Sequence, residues 1–278
     1  AAVFTARERG MNSNQALSDN GTGSYSESGA GFVDGDSGFA DNGPYPYGVN
    51  PFDQGSTRRF PADGGGVATW APTIPEDGYY AVYVSWESDP SNTSSAHYRL
   101  THPGGVIDRY FNQTVHGSTW QYVENLWLNS GTSLTIELVG DSLEAGTFLS
   151  ADAVRVGGGM GEVQRVGTVS GRPRWESAAL LNTQYMGAPA SVYDDDNNGN
   201  GTDHISRSRW ADWEHPDGED AVYVSWHSNA VAYGAGTARG TVTYFAGGGP
   251  DAPADHPQAC GYSGPAIEGS YTLANLLQ

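Results

Sequence analysis

The chain has 278 residues, enough for one large domain or two. It carries 32 acids against 13 bases, a net charge of −19, and every base is Arg. That balance argues against neutralising nucleic-acid phosphates or adsorbing to an anionic membrane, and the absence of Lys excludes Schiff-base and Ser–Lys chemistry. Cys260 stands alone, so no internal disulfide and no CxxC metal knot can form. No run approaches the ~18 to 20 apolar residues of a membrane span, so no membrane insertion is expected. Ala1 to Thr5 lacks the basic start of a signal peptide, and a secreted or periplasmic mature chain is expected.

In chain order, residues 1–22 open on a strand-like Ala-Ala-Val-Phe-Thr and run on through Arg7-Glu8-Arg9-Gly10 into a polar stretch. Residues 23–156 differ in character. Apolar and aromatic runs recur at 66–70, 79–86, 97–101, 106–112, 120–127, 133–139 and 148–156. Turn clusters such as Pro75-Glu-Asp-Gly78, Pro103-Gly-Gly105 and Asn129-Ser-Gly131 separate them. Short strands at this spacing predict an antiparallel β-sandwich. In 79–86 the period of two places Tyr80, Val82, Val84 and Trp86 on one face.

Gly157 to Gly161 reads as a flexible joint. Beyond it, Arg172 to Leu181 predicts a helix with Pro173 in its first turn, ended by Gly187-Ala-Pro189. Ala190 to Tyr193 reads as a short strand and Ser206 to Glu214 as a second helix. Ala221 to Ala230, AVYVSWHSNA, is a β-branched and aromatic run that suggests a buried strand of a parallel sheet. It ends on His227, where an imidazole can face a cleft past the strand's carboxyl end. A hydrogen-bonded histidine at a strand end is the plainer reading. Alternating strands and helices predict an α/β domain built from 1–22 and 157–278, interrupted by an all-β, jelly-roll-like sandwich at 23–156.

Two resemblances bear on function. Ala68-Thr-Trp70, Pro75 through Val84, Gly104-Gly105, Asn112-Gln113, Gly117 to Trp120 and Ala151-Asp-Ala-Val-Arg155 follow in order the pattern of golvesin C-terminal-like domains. That resemblance implies a jelly-roll accessory module, often attached to secreted hydrolases, without a catalytic site. The segment Val222 to Ala230, followed by Gly240-Thr-Val-Thr-Tyr-Phe245, resembles the zinc-ligand strand of the N-acetylmuramoyl-L-alanine amidases. Arg207, Ala211 and Asp212 hold places that family fills upstream, and Thr5-Ala-Arg7-Glu8 resembles its second strand end.

The amidase resemblance implies zinc on His227, with Ser228, Asn229 and Arg207 supporting the ring, the substrate or the helix beside it. Zinc-bound hydroxide would then cleave the amide between N-acetylmuramic acid and L-alanine in peptidoglycan or a related cell-wall glycan. On that alignment the remaining ligands and the base fall before Ala1 and after Gln278, so this chain alone is expected to be inactive. Asp194, Asp196, Asn198 and Gly199 fit the start of a calcium loop, but position twelve is Ile205 rather than Glu; the alternative is a solvated acidic turn. Tyr45, Tyr47 and Phe52 are candidates for stacking on sugar rings, against the reading that they cap the sandwich core. Two functions follow: a zinc-dependent cell-wall amidase with an inserted module, or a non-catalytic extracellular binding or structural protein.

Overall fold

The computed structural model describes residues 11–165, 167–194 and 203–216. The chain divides into two units, Ala1–Tyr223 and Val224–Gln278, and every described residue lies in the first.

The described chain is mostly β-sandwich. Its strands are β1 (Ala16–Asp19), β2 (Tyr25–Ser28), β3 (Val33–Gly38), β4 (Gly55–Pro61), β5 (Val67–Trp70), β6 (Gly78–Val84), β7 (Ala96–His102), β8 (Gly105–Phe111), β9 (Gln121–Leu128), β10 (Thr135–Val139), β11 (Phe148–Ala151) and β12 (Ala153–Val156). They form an antiparallel five-stranded sheet in the order β2-β5-β10-β7-β8, a four-stranded sheet β1-β12-β6-β9, and a three-stranded sheet β11-β4-β3. Alternation drives the layering. Tyr80, Val82, Val84, Leu126, Leu128 and Val154 from one side meet Trp70, Tyr98, Leu100, Ile136 and Leu138 from the other in a single core. Each such side chain, moved out of water, contributes about 1.5–3 kcal/mol.

The stretch 148–156, expected as one strand, divides at Asp152. β11 pairs with β4, whereas β12 pairs with β1 and β6. The Asp152 carboxylate is the pivot: it is buried and accepts from the Phe39 N–H at 2.9 Å and the Ser85 hydroxyl at 2.6 Å. β1 lies upstream of the expected boundary at residue 23 and completes the four-stranded sheet through Ala16↔Val156 to Asp19↔Ala153.

The expected α/β part is not found among the described residues. Past Val156 the named elements are helical: a 3₁₀ turn at Arg174–Glu176, α1 (Ala179–Tyr185), α2 (Ala190–Tyr193) and α3 (Asp203–Glu214). The helix expected over 172–181 breaks because Ser177 and Ala178 are extended, with ψ of 155° and 148°. Ala190 to Tyr193, expected as a strand, instead forms one helical turn after Pro189. These elements lie against the outer face of the four-stranded sheet, where Tyr185 and Met186 join Ala81, Tyr83, Trp120 and Phe52 in a second buried cluster. Trp210 of α3 packs with Leu180, Val192 and Tyr193.

Gly157 to Gly161 is likewise no free joint. Gly157, Gly158 and Gly159 are buried, the Gly157 N–H donates to Ala81 O at 2.8 Å, and Gly159 O accepts from the Arg174 N–H at 2.9 Å. Glycine is required at 157 by a φ of 92° and by Asn14 O, which would sit 2.1 Å from an added Cβ.

Candidate functional site

β7 and β8 form a hairpin joined by the two-residue turn Pro103-Gly104, with His102 opposite Gly105. Because Tyr98, Leu100 and Ile107 point to the core, the alternate residues His97, Arg99 and Thr101 of β7 and Val106, Asp108 and Tyr110 of β8 stand on the outer face. Register places them in rows: Val139, His97 and Tyr110 in one, Glu137, Arg99 and Asp108 in the next.

The His97 side chain is almost wholly buried on this open face. Tyr110, 62% exposed, stacks over it with ring centroids 4.8 Å apart and planes 18° from parallel. Both ring nitrogens face carboxylates, Nδ1 at 2.8 Å from Asp141 Oδ2 and Nε2 at 2.8 Å from Asp108 Oδ1. Both contacts lie at hydrogen-bond distance and hold the ring between the two carboxylates. Arg99 Nε donates to the same Asp108 oxygen at 2.9 Å. These two hydrogen bonds, His97 first and Arg99 second, hold the Asp108 carboxyl below its usual range. Asp108 and Asp141 keep 42% and 52% of their side-chain surface open to solvent. The face therefore offers an open aromatic ring beside polar groups already fixed by one another. Sequence reasoning passed over it, although the alternation in AHYRLTH and GVIDRYF carries the signal.

Of the residues singled out from the sequence, His227, Ser228, Asn229, Asp196 and Asn198 lie outside the described residues. Asp194 is buried at the end of α2, and its Oδ2 accepts from the Tyr47 hydroxyl at 2.5 Å. That bond, above all, pushes the Tyr47 phenol up to about 12. Asp194 thus braces α2 against the loop carrying Tyr47. Arg207 is half-buried on α3. Among the described residues no group of three or more His, Cys, Asp or Glu could hold a metal ion. Tyr45 and Phe52 are buried and cap the core: Tyr45 donates to Ala40 O, and Phe52 packs on Phe39 and Trp120.

Two buried arginines tie the helical segment to the sandwich. The Arg155 guanidinium lies 4.0 Å from the Tyr83 ring centroid and 5.8 Å from that of Tyr185, and the Arg174 guanidinium lies 3.6 Å from the same Tyr185 centroid. Arg174 also donates to Gly158 O, to Met160 O at 2.9 Å and to Glu162 Oε2 at 3.1 Å. The shallow cleft beside it, lined by Glu162, Arg174, Ser177, Leu181, Asn182 and Tyr185, has room for about one water.

Comparison with known proteins gives one family match: residues 51–158, less than half of the chain, match the Golvesin C-terminal domain. No curated protein matches the sequence. Among solved structures the chain is similar to a Paenibacillus xanthan lyase, at 18% identity and a TM-score of 0.43, over 52% of this chain and 13% of the lyase. It is also similar to a family 35 carbohydrate-binding module from an environmental isolate, at 17% identity and a TM-score of 0.34, over 56% of this chain and 98% of the module. A family 35 module from Clostridium thermocellum gives 14% identity and a TM-score of 0.34, over 51% and 97%. Among the described residues no helix is long and apolar enough to cross a membrane. The amidase resemblance is overturned: no amidase family matches, and the secondary structure of the described residues is dominated by the sandwich rather than by a strand–helix alternation. What the chain shares with a known family is the golvesin-type domain at residues 51–158.

Proposed function

We propose that the sandwich is a non-catalytic, extracellular glycan-binding module whose contact face is the outer surface of β7, β8 and β10 around Tyr110. One observation carries this reading: an exposed ring stacked on a buried, doubly hydrogen-bonded histidine, beside half-exposed carboxylates and a guanidinium. The axial C–H face of a pyranose packs on an aromatic ring, and its hydroxyls pair with planar polar groups. Groups already held by mutual hydrogen bonds lose little entropy when a ligand arrives. Asp108, Asp141 and Glu137 outnumber Arg99 on this face, so uncharged glycans suit it better than polyuronates or sulfated chains.

Calorimetric titration of the full chain with soluble neutral polysaccharides and their oligosaccharides tests the proposal. Tyr110→Ala should weaken oligosaccharide binding by about 1–2 kcal/mol, roughly ten-fold or more. Arg99→Ala should weaken it to a lesser degree, with thermal stability kept in both variants. Release of new reducing ends would point to catalysis. Unchanged affinity in Tyr110→Ala would refute this face as the site.

A further inference from the structure

A second aromatic feature lies on the opposite side of the sandwich. Tyr79 on β6 and Trp127 on β9 are direct cross-strand partners, 58% and 50% exposed, with ring centroids 5.0 Å apart and planes at 79°. Their neighbours Tyr80, Leu126 and Leu128 point into the core, so the pair stands on the outer face of the four-stranded sheet. Ala81 and Tyr83 of the same face are covered by Phe39, Tyr185 and Met186. Among the described residues, none of that cluster covers the corner formed by Tyr79 and Trp127.

We infer that this corner is a second saccharide contact, which makes the module bivalent and able to bridge two glycan chains. The previous proposal supplies only the kind of ligand. A right-angled pair lets one sugar ring lie on the indole while its edge meets the phenol. Asn125, exposed two residues before Trp127 and opposite Ala81, supplies an amide on the same face. Two side chains fall far short of the roughly 800 Å² per partner that a stable protein interface takes, so a second copy or another protein is a poor fit. Charge selects among glycans. Glu76 accepts from the Asn12 and Asn14 amides at 2.6 and 2.9 Å, and Asp77 accepts from the Ser130 N–H at 2.7 Å. These donors are neutral and leave the negative charges beside Tyr79, which repel an anionic chain. The occupant is therefore a pyranose of an uncharged glycan.

The test uses the full chain and its Tyr110→Ala, Trp127→Ala and doubly substituted forms. The probes are soluble β-1,3-glucan, hydroxyethylcellulose, galactomannan and polygalacturonate, read by retention in polysaccharide gels and by turbidity on mixing. Trp127→Ala should reduce retention on the neutral polymer that binds by up to about 100-fold through lost bivalency, and should abolish turbidity. Tyr79→Ala should act in the same direction. Binding of a short oligosaccharide at the Tyr110 face should be unaffected by Trp127→Ala. If Trp127→Ala matches wild type in retention and turbidity while Tyr110→Ala does not bind, the second contact is refuted and the first stands. If Trp127→Ala loses binding and Tyr110→Ala does not, the corner is upheld as a contact, bridging is refuted and the Tyr110 proposal falls. Equal retention of polygalacturonate through Trp127 would overturn the charge argument and the proposed occupant, as would failure of wild type to bind any neutral polymer.

Discussion

Replacing Asp152 by Asn should remove a pH-dependent weakness from the core. Burial, the dominant influence, pushes the Asp152 carboxyl from 3.8 up to about 7, against the opposing hydrogen bonds from Ser85 and Phe39. In the folded chain the group is therefore protonated between those values, whereas in the unfolded chain it ionises near 3.8. The folded state binds the extra proton in that window, so stability is fully present below 3.8 and is lost as pH rises to about 7. At about 1.4 kcal/mol per pH unit, the loss is on the order of 4 kcal/mol. The protonated acid fits its surroundings: its O–H can donate to Ser85 Oγ while Ser85 donates to Ala153 O at 3.2 Å. An Asn amide can make the same two contacts, N–H to Ser85 Oγ and carbonyl from the Phe39 N–H. Urea unfolding followed by Trp fluorescence should give matching midpoints near pH 4 and a growing advantage for Asp152→Asn up to about pH 7, constant above it. Asp19, raised to about 6 chiefly by burial, titrates in both proteins. Parallel stability–pH curves for the two proteins, or an Asn variant weaker at pH 8 than at pH 4 relative to wild type, would refute the reasoning.

Two further substitutions probe the attachment of the helical segment. Gly157→Ala should destabilise by more than about 1 kcal/mol, because φ is 92° and the new Cβ meets Asn14 O; a thermal melt lower by several degrees checks it. Tyr47→Phe should cost about 1 kcal/mol or somewhat more by removing a hydrogen bond to a buried carboxylate, and should increase amide exchange around α2.

The strands were legible where one face is wet. β7, β8 and β10 alternate cleanly, and their expected limits differ from the observed ones by a residue or two. β3 was not legible: VDGDSG carries no apolar period, and the strand is held instead by pairing with β4 across an irregular register. β1, ALSD, is equally poor in apolar signal and exists because β12 offers it an edge. The Tyr110 face was hidden for another reason. Sequence shows that His97 and Tyr110 alternate outward, but not that register makes them partners or that Asp141 closes on the far side of the ring.

One segment shows why a continuous apolar run does not by itself indicate a parallel sheet. The hexapeptide Ala-Val-Tyr-Val-Ser-Trp occurs twice, at 81–86 and at 221–226; the second occurrence, read as a strand of a parallel sheet, lies outside the described residues. At 81–86 its first four residues complete β6, an antiparallel strand, yet all six residues are buried. Val82 and Val84 face the sandwich core while Ala81 and Tyr83 face the helical segment. Burial on both faces erases alternation whatever the direction of the neighbouring strands, because periodicity reports water on one side and nothing about polarity of pairing. A continuous apolar run thus marks a strand covered on two sides. In this fold the second cover comes from Tyr185 and Met186 and from the loop holding Phe39 and Phe52, laid over an antiparallel sheet. The sign of a parallel sheet has to come from elsewhere, from crossover helices of adequate length between successive strands, and the connections that flank β6, residues 71–77 and 85–95, contain no helix.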